Sequence, residues 1–118
     1  MSPGAKNKSL LNRTKPDAEV LIKEYENECR LQGFTKDTIK FRGYAIRNFA
    51  RFLESRGTHI LESESNDIRS WVEELRINRN LTLETTKKNL GHIGGFYDYL
   101  VFENLVSSNP APMYKSDI

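Results

Sequence analysis

Apolar residues recur at intervals of three and four from Ala18 to Leu100, and nowhere do they keep up the strict alternation of a strand. A period near 3.6 places them on one face of a helix, so the chain is expected to be all-α. The punctuation divides it into four helices. Pro16 and Gly33 bracket the first, over 17–32, with Ala18, Leu21, Ile22, Tyr25 and Cys29 on one stripe. Thr35 and Gly57 bracket the second, over 36–56. The third spans 66–79, capped by Ser65 or Ser63, and buries Ile68, Trp71, Val72 and Leu75. The fourth follows Thr82 over 83–103, with Leu83, Thr86, Leu90, Ile93, Tyr97 and Leu100 as its core stripe. Residues 1–16 read as a disordered basic tail, 17–108 as the helical domain, and 109–118 as an interdomain linker or tail opened by Asn109-Pro110-Ala111-Pro112.

The second helix carries two faces. Ile39, Ile46, Phe49, Ala50 and Leu53 cluster within about 100° of arc, widened by Phe41, Ala45 and Phe52. Lys36, Lys40, Tyr44, Arg47 and Arg51 lie opposite, as a basic stripe with one aromatic in it. Arg42 falls toward the apolar arc and must snorkel or find a partner. In the fourth helix, Thr85, Lys88, His92, Gly95 and Tyr99 share the other face. Gly91, Gly94 and Gly95 are costly inside a helix, so something must approach closely there, a packed helix or a ligand backbone.

Net charge over 118 residues is only +2, but it is unevenly spread. Residues 1–16 hold four bases and no acid, 17–33 two bases and five acids, and 34–57 six bases and two acids. Such blocks suit an anionic partner. The length admits one compact domain, and no apolar run is long enough for a membrane span or a secretory signal. A single cysteine, Cys29, and two histidines leave no disulfide framework and no metal cluster, so a reducing, cytoplasmic setting is expected with neither metal nor cofactor nor small-molecule ligand. Cys29 sits in the apolar stripe and reads as a core thiol. No nucleophile, metalloprotease or phosphate-loop motif occurs, and no enzymatic activity of this chain is expected.

The second and fourth helices match at an offset of 47 residues. Thr35, Thr38 and Lys40 correspond to Thr82, Thr85 and Lys87, and Ile46, Phe49 and Leu53 to Ile93, Phe96 and Leu100. Amphipathic helices share core positions for ordinary reasons. The repeated Thr-x-x-Thr-x-Lys start is more distinctive, since it sets a capped helix N-terminus beside a lysine twice, a combination suited to phosphate oxygens.

The run Gly33-Phe34-Thr35-Lys36-Asp37-Thr38-Ile39, then Phe49-Ala50-Arg51-Phe52-Leu53, Leu83 to Leu90, Phe96-Tyr97-Asp98-Tyr99-Leu100 and Asn109-Pro110, resembles the N-terminal core-binding, SAM-like domain of tyrosine recombinases and phage integrases over about residues 17–112. The resemblance implies a four-helix bundle of two helical hairpins that forms half of a clamp on duplex DNA, with the second and fourth helices at the major groove. It points to Lys40, Phe41 and Tyr44, and to Thr85, Lys87, Lys88 and His92; Lys36 and Arg47 join them from the basic stripe. It also implies self-association on DNA within the parent recombinase. Two departures stand out: Arg42 where a tyrosine is usual, and Gly94 and Gly95 where basic or polar residues are common. The catalytic constellation of that family belongs to a second domain, and no His-x-x-Arg follows Pro110 here. The other reading is a helical protein–protein module, using acidic helix one with Val20 and Leu31 off its main stripe.

Overall fold

The structure, a computed structural model, describes residues 16–111. It contains helices α1 (Ala18–Leu31), α2 (Lys36–Ser55), α3 (Ser65–Glu73) and α4 (Leu83–Phe102), with a 3₁₀ turn at Ile60–Glu62 and a π-helical turn, Glu74–Asn78, prolonging α3. No strand occurs among the described residues. The described residues thus form an all-helical bundle of two hairpins, α1–α2 and α3–α4, the arrangement that the resemblance implied. Of the tail expected over 1–16, residues 1–15 lie outside the described residues, as do residues 112–118 of the expected linker.

The hairpins are built with the same local devices. Thr35 (φ −70°, ψ 161°) caps α2 by accepting from the Thr38 amide at 3.2 Å; Thr82 (φ −66°, ψ 161°) caps α4 by accepting from Thr85 at 3.1 Å. In both caps the first threonine hydroxyl lies 3.0 Å from the second. Two residues before each cap the chain turns through the left-handed region, at Gly33 (φ 90°) and Asn80 (φ 55°). After each helix it does so again, at Gly57 (φ 75°) and Asn104 (φ 62°), and the amides of Thr58 and Leu105 return 2.9 Å bonds to Leu53 and Leu100. Such left-handed C-terminal turns satisfy carbonyls that the helix leaves open.

The core joins Leu21, Ile22, Tyr25 and Cys29 of α1, Ile46, Phe49 and Leu53 of α2, Ile68, Trp71 and Leu75 of the third helix, and Leu90, Ile93, Phe96, Tyr97 and Leu100 of α4. Cys29 is buried, as its place in the stripe requires. Two expectations need correction. Leu83 is not core: as the first residue of α4 it lies 55% exposed, before the helix has reached the bundle. The cap of α3 is neither Ser63 nor Ser65 but Glu64, which forms a reciprocal box with Asp67; the Glu64 amide donates to Asp67 Oδ2 at 2.9 Å.

Close approach explains one of the three α4 glycines, Gly95. A Cβ on Gly95 would meet the Tyr25 hydroxyl at 3.2 Å, so the neighbour there is packed α1. Asn109 donates to the Gly94 carbonyl at 3.0 Å and to Asp98 Oδ1 at 2.9 Å, and accepts from the Ala111 amide at 2.8 Å. The beginning of the expected linker is therefore docked on α4, and Ala111 is buried.

Candidate nucleic-acid interface

α2 and α4 pack against each other and leave an open groove between their outer faces. Thr38, Phe41, Tyr44, Ala45 and Asn48 line it from α2, and Thr85, Lys88, Asn89 and His92 from α4. The 47-residue relation pairs Thr38 with Thr85, Phe41 with Lys88 and Ala45 with His92 across it. Each pair falls at the same position along its helix because the threonine caps begin both helices at corresponding residues.

Five of the nine residues singled out from the sequence line this groove: Phe41, Tyr44, Thr85, Lys88 and His92. Phe41 and Tyr44 are exposed, at 61% and 56%. Lys40 stands one residue before Phe41, its Nζ 6.0 Å from the Tyr44 ring centroid. Lys36, the first residue of α2, and Lys87, the fifth of α4, are exposed but do not line the groove. No carboxylate pairs with Lys36, Lys40, Lys87 or Lys88 among the described residues. His92 is half-buried, and burial, reinforced by the Arg42 charge, holds its pKa below the usual imidazole value. At neutral pH it offers a neutral ring, donor on one nitrogen and acceptor on the other.

Arg47 does not join the others. Its guanidinium binds Glu19 at 2.8 Å and Glu26 at 2.9 Å, both on α1. Glu19 and Glu26 are seven residues apart, two turns on one helix face, and the long arginine stem reaches sideways to them from the edge of the basic stripe. Hydrogen bonds to both carboxylates raise the Arg47 pKa, and the bond to Arg47 is the main cause lowering that of Glu19. Arg47 is an α1–α2 clamp.

Arg42 finds the partner its position demands. Its Nη1 donates to the Tyr25 hydroxyl at 2.9 Å, and its guanidinium lies 4.2 Å from the Phe34 ring centroid. Asn48 and Asn89 line the groove without having been singled out. They lie at helical spacing from Tyr44 and Thr85, a signal that was available, but Asn89 also has a structural duty, accepting from Trp71 Nε1 at 2.9 Å.

A family model described as phage integrase, N-terminal SAM-like domain, matches residues 21–105. The chain belongs to this family. No curated protein and no solved structure matches it. Membership gives this integrase domain a DNA-associated role, and the matched span contains all of α2 and α4. No described helix of the integrase domain is long and apolar enough to cross a membrane, and no described cluster of His, Cys, Asp and Glu suits a metal ion.

Proposed function

We propose that this chain is the DNA-gripping, core-binding domain of a site-specific tyrosine recombinase, holding duplex DNA with the outer faces of α2 and α4. The observation that carries the reading is the groove and its surround: two helices with matching threonine-capped starts, exposed Phe41 and Tyr44, and Lys88 on one wall with Lys36, Lys40 and Lys87 on the same two helices, none of the four paired with a carboxylate among the described residues. Lys36, Lys40, Lys87 and Lys88 would neutralise phosphates and supply most of the affinity. Thr85, His92, Phe41 and Tyr44 would meet base edges or sugars. In this reading residues 17–108 are the DNA-binding unit, 109–118 lead toward a catalytic domain, and the chain by itself neither cleaves nor joins DNA. Partners beyond DNA would be further copies of the parent recombinase.

The test is a chemical-shift titration with duplex DNA at two salt concentrations. Shifts should centre on Phe41, Tyr44, Thr85, Lys88 and His92, with a dissociation constant on the order of 10⁻⁴–10⁻⁶ M, the range of non-specific binding. Shifts confined to α1, where Val20 and Leu31 are exposed, would instead favour a protein-interaction module.

A further inference from the structure

The groove has two chemically different walls on one repeated scaffold. Equivalent positions carry Phe41 in α2 and Lys88 in α4, then Ala45 and His92. Nothing in the fold calls for a phenylalanine at position 41. It is 61% exposed and stands outside the core cluster, whereas Phe49 and Phe52 on the same helix pack against Trp71. An aromatic ring left in water beside lysines that pair with no carboxylate among the described residues fits a ligand that is both anionic and locally apolar.

We propose that Phe41, backed by Ala45 and flanked by Tyr44, contacts the 5-methyl group of thymine in the major groove of duplex DNA, making the α2 wall a selector of A·T pairs. The inference rests on the DNA-binding reading above and names what that surface recognises. The thymine methyl is the one apolar group that a base edge presents in the major groove. The facing wall supplies the complementary part: Lys88 is a cation for phosphate or for guanine acceptors, and His92 is a hydrogen-bonding ring. Duplex DNA is favoured over an apolar protein partner by charge, since Lys40 and Lys88 at this groove have no carboxylate partner among the described residues.

The experiment compares duplexes that differ by this methyl alone. The chain is titrated at low salt with alternating dA–dT and alternating dA–dU duplexes of equal length, and with alternating dG–dC with and without a methyl at cytosine C5. The dA–dT duplex should bind about fourfold tighter per methyl contacted, the factor expected for removing one methyl-sized apolar group from water. Methylated dG–dC should gain similarly. Phe41→Ala should erase both differences while leaving the salt dependence and the melting temperature unchanged, because the ring is exposed and uncharged. Equal affinity of the wild type for the thymine and uracil duplexes overturns the proposal and leaves the DNA-binding reading standing. Tighter binding to single-stranded oligo(dT) than to the duplex overturns it in favour of base stacking on Phe41. Binding to polyglutamate but to no duplex overturns both readings.

Discussion

Tyr25 of α1 and Trp71 of α3 occupy equivalent places in the two hairpins, and each packs on the aromatic pair of the other hairpin. Tyr25 lies 5.3 Å from Phe96 and 5.3 Å from Tyr99 of α4; Trp71 lies 5.8 Å from Phe49 and 5.0 Å from Phe52 of α2. Phe49 and Phe52 correspond to Phe96 and Tyr99 at the 47-residue offset. The polar atom of each ring is held within its own hairpin, Tyr25 by Arg42 and Trp71 by Asn89, which correspond as well. Such reciprocal exchange is what a two-fold relation between the hairpins produces. It binds the halves into one core and brings the starts of α2 and α4 to a shared face.

Trp71→Ala should therefore damage both halves. The side chain is fully buried, and its loss should cost ~3–5 kcal/mol in urea-monitored unfolding. Tyr25→Phe keeps the ring contacts but leaves Arg42 Nη1 without its hydroxyl partner, a cost of about 1–3 kcal/mol. A Trp71 variant as stable as wild type would contradict this account of the core.

Alkaline titration tests the same tyrosine from another side. Burial, with the neighbouring Cys29 thiol adding to it, pushes the Tyr25 pKa up to about 12. The folded state thus favours the neutral phenol. Its contribution is complete below about pH 10, where an unfolded tyrosine titrates, and is lost as pH rises toward 12. Denaturation midpoints measured from about pH 9 to 11.5 should fall less steeply in Tyr25→Phe than in wild type. Tyr97, whose hydroxyl donates to the Ile60 carbonyl at 2.6 Å, and Tyr99 are shifted in the same direction by burial and contribute to the slope that remains. Identical slopes in the two proteins would show that the Tyr25 phenol ionises freely in the fold.

The Glu19–Arg47 pair gives the fold an acid dependence of the opposite kind. The hydrogen bond from Arg47 depresses the Glu19 pKa, so the stabilisation is present above the ordinary carboxylate range and disappears as pH falls through the lowered value. Between about pH 5 and pH 3, wild type should lose more stability than Glu19→Gln. The carboxylate is half exposed, so the difference is expected to be small. Arg47→Met should flatten the acid limb in the same way and leave DNA affinity nearly unchanged. A loss of DNA binding as large as that from removing Lys88 would return Arg47 to the interface.

The four helices were legible because each carries an unbroken apolar stripe and a local stop or start signal. The limits of that reading trace to particular residues. Sequence matching aligned α2 with α4 but did not extend the repeat to the first helices, where the offset is 46: Ile22, Tyr25 and Cys29 correspond to Ile68, Trp71 and Leu75. The π-helical turn Glu74–Asn78 takes up the extra residue, closed by the Arg79 amide bonding the Glu74 carbonyl at 3.0 Å. A fixed-offset comparison slips at that bulge. At the candidate site, period alone put Lys40, Tyr44 and Arg47 on one stripe. It could not foresee that Glu19 and Glu26 of another helix would draw Arg47 aside, because that is a property of how α1 lies on α2. Phe41 both widened the apolar arc of the second helix and counted as a DNA contact from sequence; its exposure takes it off the buried face.

Salt dependence separates the phosphate-contacting lysines from everything else. If Lys40 and Lys88 each neutralise one phosphate, the slope of log affinity against log salt should become shallower by about one in Lys40→Ala and in Lys88→Ala. The two residues lie on different helices, so the double variant should lose about two. Glu28→Lys on α1 is the control of choice, since Glu26 holds Arg47 and its reversal would disturb the fold. That control should leave the slope nearly unchanged, because Glu28 lies outside the groove and faces Gln32, whose amide it accepts at 2.9 Å. A lysine variant that loses affinity with no change in slope would be touching a base edge, and its losses should then differ between DNA sequences. Unchanged affinity and slope in both lysine variants would move the phosphate contacts away from the α2–α4 groove.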